Sequence, residues 1–206
     1  MNIPGAEFWN ERFGSDDFLF GVQPNDFLRE VSPQFLLQTS KVLCVADGEG
    51  RNSCWLAQQN HQVHAFDFSE VAIQKAKKLA SQLNVDVQFS VSDCQSWSWQ
   101  NNQYDAVVAI FIQFAPPEMR KILFANMMNC LKPGGILILQ GYTPEQLNFK
   151  TGGPSQVENL YTSSLIQDLL SEQDILVLKE YQAVLTEGVG HSGPSALLGL
   201  VARKIK

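Results

Sequence analysis

The sequence predicts an α/β fold: a doubly wound, seven-stranded sheet, mainly parallel, closed by an antiparallel C-terminal hairpin. Three observations predict it. Apolar runs of strand length alternate with amphipathic runs of helix length from Lys41 to Gln140, and such alternation implies parallel strands joined by right-handed crossovers. A glycine-rich turn, Asp47-Gly48-Glu49-Gly50, follows the first run, where a backbone free of Cβ atoms lets a ligand approach. Two long strand-like runs with a short connection end the chain, the pattern of an antiparallel pair.

Taken in order, Glu7 to Phe13 and Pro24 to Val31 read as short helices, the second with Pro24 near its start. Phe8, Trp9, Phe13, Phe18, Phe20 and Phe27 crowd this arm. They anchor it on the core, or they form a lid over a ligand. The expected organisation is one domain over residues 1–206, with a helical arm or lid at 1–40 and the core at 41–206. Lys41 to Ala46 is the first strand and Asn52 to Ala57 begins the helix after the turn. Gln62 to Phe68 is the second strand. Asp67 falls at its end, where an acid in nucleotide-binding folds accepts hydrogen bonds from ribose hydroxyls. Ser69 caps a helix to Leu83, with Glu70 at its positive end. Val87 to Val91 is the third strand and Tyr104 to Ile112 the fourth, nearly all apolar as in a strand covered on both faces. Pro117 opens a helix to Leu131 that turns Met119, Ile122, Leu123, Met127 and Leu131 inward. Lys132-Pro133-Gly134-Gly135 stops it, and Ile136 to Gln140 is the fifth strand. A long loop, Gly141 to Val157, precedes a helix at Ser163 to Leu170. Asp174 to Thr186 and Ala196 to Lys204 form the hairpin, joined by a glycine-rich loop, Glu187 to Ser195.

The chain has 206 residues, 45% hydrophobic and 17% charged, which suits one domain with a sizeable core. Its net charge of −6 argues against broad nucleic-acid binding, which needs a basic surface. No apolar run is long enough to span a bilayer, and the N-terminus lacks a basic start and an apolar signal core. Cys44, Cys54, Cys94 and Cys130 show neither metal-ligand spacing nor a CxxC pair. They read as reduced thiols of a cytoplasmic protein with no metal site.

Three readings compete for the glycine turn. A dinucleotide site wants a third small residue where the helix packs on the strand, and here Ser53 follows bulky Arg51. An ordinary strand-to-helix turn is the second reading. The third is a site for S-adenosylmethionine, one nucleoside with an amino-acid tail and no diphosphate.

The chain resembles the class I S-adenosylmethionine-dependent methyltransferases over most of its length. The resemblance is carried by VADGEGRN, the acid in AFDFSE, SDC after the third strand and LKPGG before the fifth. FWNERF, FGVQPNDFL, TGGP and EGVGHSG are similar to the small-molecule branch of tellurite-resistance and thiopurine methyltransferase-like proteins. The chain departs from the superfamily where Cys44 stands for a strand-one acid and Ala46 for a glycine. The resemblance implies a Rossmann-like core in which Ala46, Gly48 and Gly50 border the methionine and ribose, and Asp67 binds the ribose hydroxyls. It also implies Phe68 against adenine, Asp93 accepting from the adenine amino group beside Cys94, and Ile110 and Phe111 on the methionine side.

Methyl transfer from a positive sulfur needs alignment and water exclusion, and a base only when the acceptor arrives protonated. His191, Tyr142 and Gln113 are the candidates around the acceptor. His191 has a reference pKa near neutrality and sits in the glycine-rich loop. His61 and His64 flank the second strand and read as surface or packing residues. The expected partner is a small-molecule methyl acceptor, with thiol, selenium and tellurium species among the candidates, and no nucleic acid or membrane. A nicotinamide-dependent reductase on a similar sheet and a non-catalytic S-adenosylmethionine-binding protein are the alternatives.

Overall fold

The computed structural model describes residues 5–205. Two helices, α1 (Ala6–Arg12) and α2 (Asp26–Phe35), precede the first strand. The chain then alternates β1 (Lys41–Val45), α3 (Arg51–Gln58), β2 (Gln62–Asp67), α4 (Glu70–Leu83), β3 (Val87–Val91), β4 (Tyr104–Ile110), α5 (Pro117–Cys130) and β5 (Leu131–Tyr142). Short helices α6 (Gln146–Phe149) and α7 (Ser163–Leu169) follow, with one 3-10 turn at Val157–Asn159 between them. The chain closes with β6 (Asp174–Glu187) and β7 (His191–Arg203). The seven strands lie in the order β3-β2-β1-β4-β5-β7-β6. β1 to β5 are parallel, and β7 runs antiparallel to both β5 and β6.

Alternate residues of one strand bury on opposite faces of the sheet. Leu43 and Val45 join Leu137, Leu139 and Leu200 under Leu123, Phe124 and Met127 of α5. Val42 and Cys44 join Val63, Ala65 and Ile138 under Leu56 of α3 and Phe27, Leu28 and Val31 of α2. The second helix is therefore part of the core. Gly199 of β7 makes room for it, since a Cβ there would stand 2.6 Å from the Phe27 ring.

Capping chemistry sets the helix starts. Ser69 accepts from the Ala72 amide, and Asn84 ends α4 in the left-handed conformation. Asn25, not Pro24, caps α2, because its side chain accepts from the Leu28 amide. Three expectations need correction. Ile122 points to solvent at 64% exposure, because the inward stripe of α5 runs through Leu123, Phe124 and Met127. Lys132 to Gly135 continue β5 through a register shift, with Leu131 paired to Tyr104 and Gly134 donating to Lys204. The hairpin connection is only Gly188-Val189-Gly190, with Glu187 paired directly to His191, so His191 begins β7 and does not lie in a loop. Gly188 makes that turn possible: it has φ +63°, and a Cβ there would collide with the Leu19 carbonyl oxygen.

Gly50 and Gly134 separate conformational from packing cost. Both have positive φ, but a Cβ at Gly50 would stand 2.7 Å from Ala76 Cβ while one at Gly134 meets nothing within 4 Å. Gly134→Ala should cost about 1–2 kcal/mol for its left-handed backbone. Gly50→Ala should cost about 1–3 kcal/mol more from overpacking, read as the difference between their urea unfolding curves.

Candidate active site

A cavity of about 940 Å³ opens over the carboxyl ends of the parallel strands, at the upper end of the usual ligand-site range. Its floor comes from the ends of β1, β2, β4 and β5, spanning the switch point between β1 and β4, where open α/β sheets place ligands. Phe8, Trp9, Arg12, Phe13 and Phe20 cover it from one side and Gly152 to Gln156 from another.

The glycine turn forms one wall. Ala46 takes φ 48°, Gly48 φ 62° and Gly50 φ 87°. Ala46 is thus held where a side chain is disfavoured, and Phe111, at the end of β4, is held likewise at φ 57°. Both residues line the cavity, as expected of backbone strain at a functional site. Asp67 fastens the turn: its Oδ2 accepts from the Gly48 amide at 3.0 Å and its Oδ1 from the Ser69 amide at 2.9 Å. Burial raises its pKa, against the pull of the Ser69, Gly48 and Phe68 amides.

Ala46, Gly48, Asp67, Phe68, Asp93, Cys94, Ile110 and Phe111 all line the cavity. Gly50 does not, because it faces Ala76 and serves the packing of α3 on α4. Asp93 is largely engaged by its own turn. Its Oδ1 accepts from the Gln95 and Ser96 amides at 2.7 and 2.8 Å, and the Ser96 amide leads in holding its pKa below the usual value. Burial pushes the Cys94 thiol up to about 12, so it is no nucleophile.

Of the acceptor-side candidates, Gln113 has no free valence for chemistry. Its amide donates to the Tyr142 and Asn159 carbonyls at 2.9 and 3.1 Å and accepts from the Tyr142 amide. It is a brace between β5 and the Val157–Asn159 turn. Tyr142 and His191 do come together. The His191 ring lies 4.3 Å from Phe111, 4.4 Å from Phe20 and 5.8 Å from Tyr142, centroid to centroid. The Tyr142 hydroxyl is buried without a partner, and Gly153 packs against its ring closely enough that a Cβ would stand 2.7 Å away.

A buried carboxylate that sequence reasoning missed stands behind His191. Glu187 accepts from Arg51 Nη2 at 2.7 Å and from Asn25 Nδ2 at 2.8 Å, and its Oε2 lies 3.5 Å from His191 Nδ1. Asn25 also donates to Gln140 of β5. Burial pushes the Glu187 pKa up, but His191 and Arg51 overcome that and pull it down to about 2. Burial pushes the His191 pKa down, Glu187 opposing and Arg51 assisting, so the imidazole is neutral at neutral pH. One signal for this pairing was available in the sequence: a glutamate and a histidine four residues apart across a short glycine turn face each other in a hairpin. Among the described residues no cluster of His, Cys, Asp or Glu is placed to hold a metal, and no helix is long and apolar enough to cross a membrane.

Comparison with known proteins agrees with this geometry. Residues 42–135 match the methyltransferase domain family. A tRNA (uracil(54)-C(5))-methyltransferase of Pyrococcus abyssi is 32% identical over 97 residues, covering 43% of this chain and 24% of that protein. The chain thus spans about a quarter of the length of the curated relatives it matches. The protein solved in work on converting a disulfide bond into a thioacetal group during echinomycin biosynthesis is 15% identical, with TM-score 0.79, covering 97% of this chain and 89% of that one. The N-methyltransferase NodS of Bradyrhizobium japonicum, bound to S-adenosylhomocysteine, is 15% identical with TM-score 0.71 over 98% of both chains. TehB of Haemophilus influenzae is 16% identical with TM-score 0.68, over 97% of this chain and 66% of that one. At these identities the structural likeness is one of fold. Fold and matched segment agree: residues 42–135 are similar to a methyltransferase domain, and the seven-stranded mixed sheet that carries them has the fold of solved S-adenosylmethionine-dependent methyltransferases.

The residues present fit an adenosyl cofactor. The strand-end carboxylate of Asp67, the half-buried Phe68 ring and a backbone opened by Gly48 line one continuous wall. Asp67→Asn turns an amide group toward one of two backbone N–H donors. It should lower the thermal midpoint and weaken S-adenosylhomocysteine binding at least about tenfold in calorimetric titration. Glu187 has its ordinary pKa of 4.5 when unfolded and about 2 when folded, so its stabilisation is complete above the first value and lost as pH falls toward the second. Acid unfolding should show a loss of stability between these values that Glu187→Gln lacks.

Proposed function

We propose that this chain methylates a small molecule, and that His191 takes the proton of an acceptor arriving at a sulfur, selenium, tellurium or ring heteroatom. The observation that carries this reading is the position of the His191 imidazole, walled by Phe20, Phe111 and Tyr142 and lining the cavity over the strand ends. S-adenosylmethionine, when bound, supplies a methyl on a positive sulfur, so the leaving group departs neutral. The protein must then align the acceptor, exclude water and remove a proton where one remains. Apolar rings exclude water around His191. Glu187 faces Nδ1, which leaves Nε2 for the acceptor, and its anion stabilises the imidazolium that forms. Their 3.5 Å separation is long for a hydrogen bond, and such contacts often tighten only when substrate is bound. In this reading Tyr142, whose buried hydroxyl has no partner among the described residues, donates to the acceptor.

Several features support a small acceptor over RNA. Among the described residues, the only cations lining the cavity are Arg12 and Arg51, and Arg51 is committed to Glu187. Acids face the same space at Asp47, Asp67, Asp93 and Glu158. A phosphate backbone needs the opposite balance. The likeness of fold to TehB and to the protein of the disulfide-to-thioacetal work is consistent with a chalcogen acceptor and with the tellurite-resistance and thiopurine-like branch. We also hold that α1 and the residues up to Phe20 act as a lid. Phe8, Trp9 and Arg12 line the cavity from α1. The lid is tied down by Ser69 Oγ donating to Asn10 and by Lys75 donating to the carbonyls of Phe13, Ser15 and Asp17.

The test is a transfer assay with labelled cofactor against thiols, selenols and metalloid anions. Transfer is expected, and its complete absence across the panel would favour a binding protein without turnover. His191→Ala should lower kcat about a hundredfold or more for acceptors still protonated at neutral pH, and little for acceptors already anionic. The acid limb of the wild-type pH–rate profile should inflect below the ordinary histidine value of 6.5. Glu187→Gln should move that limb lower still, because the carboxylate is what supports imidazolium. An equal loss for every acceptor, whatever its ionisation, would remove His191 as a base.

A further inference from the structure

Arg12 is a cavity-lining cation with no counter-charge. It is the last residue of α1, and its side chain lines the cavity from the arm. Among the described residues it forms no ion pair. Glu7 and Glu11 share its helix, but neither lines the cavity, and adjacent residues such as Glu11 and Arg12 do not face each other on a helix. The guanidinium lies instead over aromatic rings, 5.0 Å from the Trp9 centroid and 5.8 Å from that of Phe8. An aromatic face attracts the charge but takes up none of the in-plane N–H donors, which stay available to a ligand.

Its neighbours fix where Arg12 stands. Phe13 is buried, its ring stacks on Trp9 at 5.6 Å, and its carbonyl accepts from Lys75 at 3.2 Å. Asn10 is held by the Ser69 hydroxyl. From there a chain of rings leads to the imidazole: Phe13 meets Phe20 at 6.1 Å, and Phe20 meets His191 at 4.4 Å. Burial leads in lowering the His191 pKa, Glu187 opposes it, and the Arg51 and Arg12 charges assist, so the Arg12 guanidinium is close enough to act on that ring. Arg51 is taken by Glu187. The cavity acids are engaged elsewhere, Asp67 by the Gly48 and Ser69 amides and Asp93 by its own turn.

Resting on the acceptor reading above, we propose that Arg12 binds a carboxylate on the acceptor, so that the arm selects small carboxylic acids whose methylated atom sits at His191. The apolar body of such a molecule lies among Phe20, Phe111 and Tyr142, and its carboxylate reaches back toward Trp9 and Arg12. A guanidinium fork matches a carboxylate through parallel N–H···O bonds. A single cation suits a singly charged group. A phosphate dianion at the same place would be left half neutralised in a cavity whose other free charges are acids. Because the cation is carried by α1, closing the arm over the cavity and capturing the acceptor become one event.

Calorimetric titration of protein saturated with S-adenosylhomocysteine tests this with no methyl to transfer. The probes are para-mercaptobenzoate, its neutral amide para-mercaptobenzamide, and thiophenol. Wild type should bind the acid about tenfold or more tighter than the amide. Arg12→Gln should bring that ratio near unity, with affinity for the amide and for S-adenosylhomocysteine little changed. Arg12→Lys keeps the charge without the fork and should fall between the two. No preference for the acid in wild type, or a preference that survives in Arg12→Gln, would overturn the carboxylate role. An equal loss for all the probes would overturn it too, as the mark of an arm that no longer packs. Lost affinity for S-adenosylhomocysteine in Arg12→Gln would put the guanidinium on the cofactor's own carboxylate and overturn the acceptor role. Wild type that binds S-adenosylhomocysteine but none of the probes would overturn the acceptor reading, and this inference with it.

Discussion

One buried carboxylate organises the site. Glu187 receives a guanidinium from the first residue of α3, an amide from the N-cap of α2 and the imidazole edge of the first residue of β7. Each partner comes from a different part of the chain, and the bond from Asn25 spans 162 residues of sequence. An ion pair this deeply buried gains little net energy over apolar packing, yet breaking it by removing one partner costs about 3–5 kcal/mol. Its worth here is geometric. It holds the glycine turn, the core helix of the arm and the hairpin in one arrangement, so that two walls of the cavity have a fixed separation.

Around that hub the cavity divides by polarity. The side near β1 and β2 carries Asp47 and Asp67 and opens its backbone through Gly48. The side near β5 and β7 is built of rings and one neutral imidazole. A cofactor with a charged tail and hydroxylated sugar suits the first side, and an apolar acceptor with one ionisable atom suits the second. Strained backbone at Ala46 and Phe111 lies on the walls of this cavity. The stiff sheet beneath them, covered on both faces, is what keeps those conformations populated.

Much of the fold was legible in the sequence, because periodicity and capping are local signals. The order of strands and helices, the Ser69 cap and the strand-end position of Asp67 all follow from residues within a turn of one another. Errors arose where local chemistry misled. The helix does stop at Cys130 ahead of Lys132 to Gly135, but β5 begins at Leu131, paired with Tyr104, and not at Ile136. Glu187 to Ser195 reads as a loop, though cross-strand pairing extends β6 to Glu187 and β7 back to His191. The cavity lining near β1 and β2 was mostly visible, since a glycine turn and an acid at the next strand end have fixed spacing. The acceptor side was less so. Gln113 looks available until both ends of its amide are found on backbone groups, and no pattern in a sequence pairs Arg51 with a glutamate 136 residues away.

The embrace between the hairpin turn and the arm has a consequence for how the molecule is made. Gly190 donates to the Leu19 carbonyl, and Gly188 and Gly190 pack on Leu19, Phe20 and Gly21. On the ribosome the arm emerges long before the hairpin that receives it. Closing so large a loop is also slow and entropically costly. Through most of translation Phe20 lacks the Gly190 and His191 surface it rests on, so this ring-rich segment is, in the nascent chain, a sticky patch for chaperones to guard.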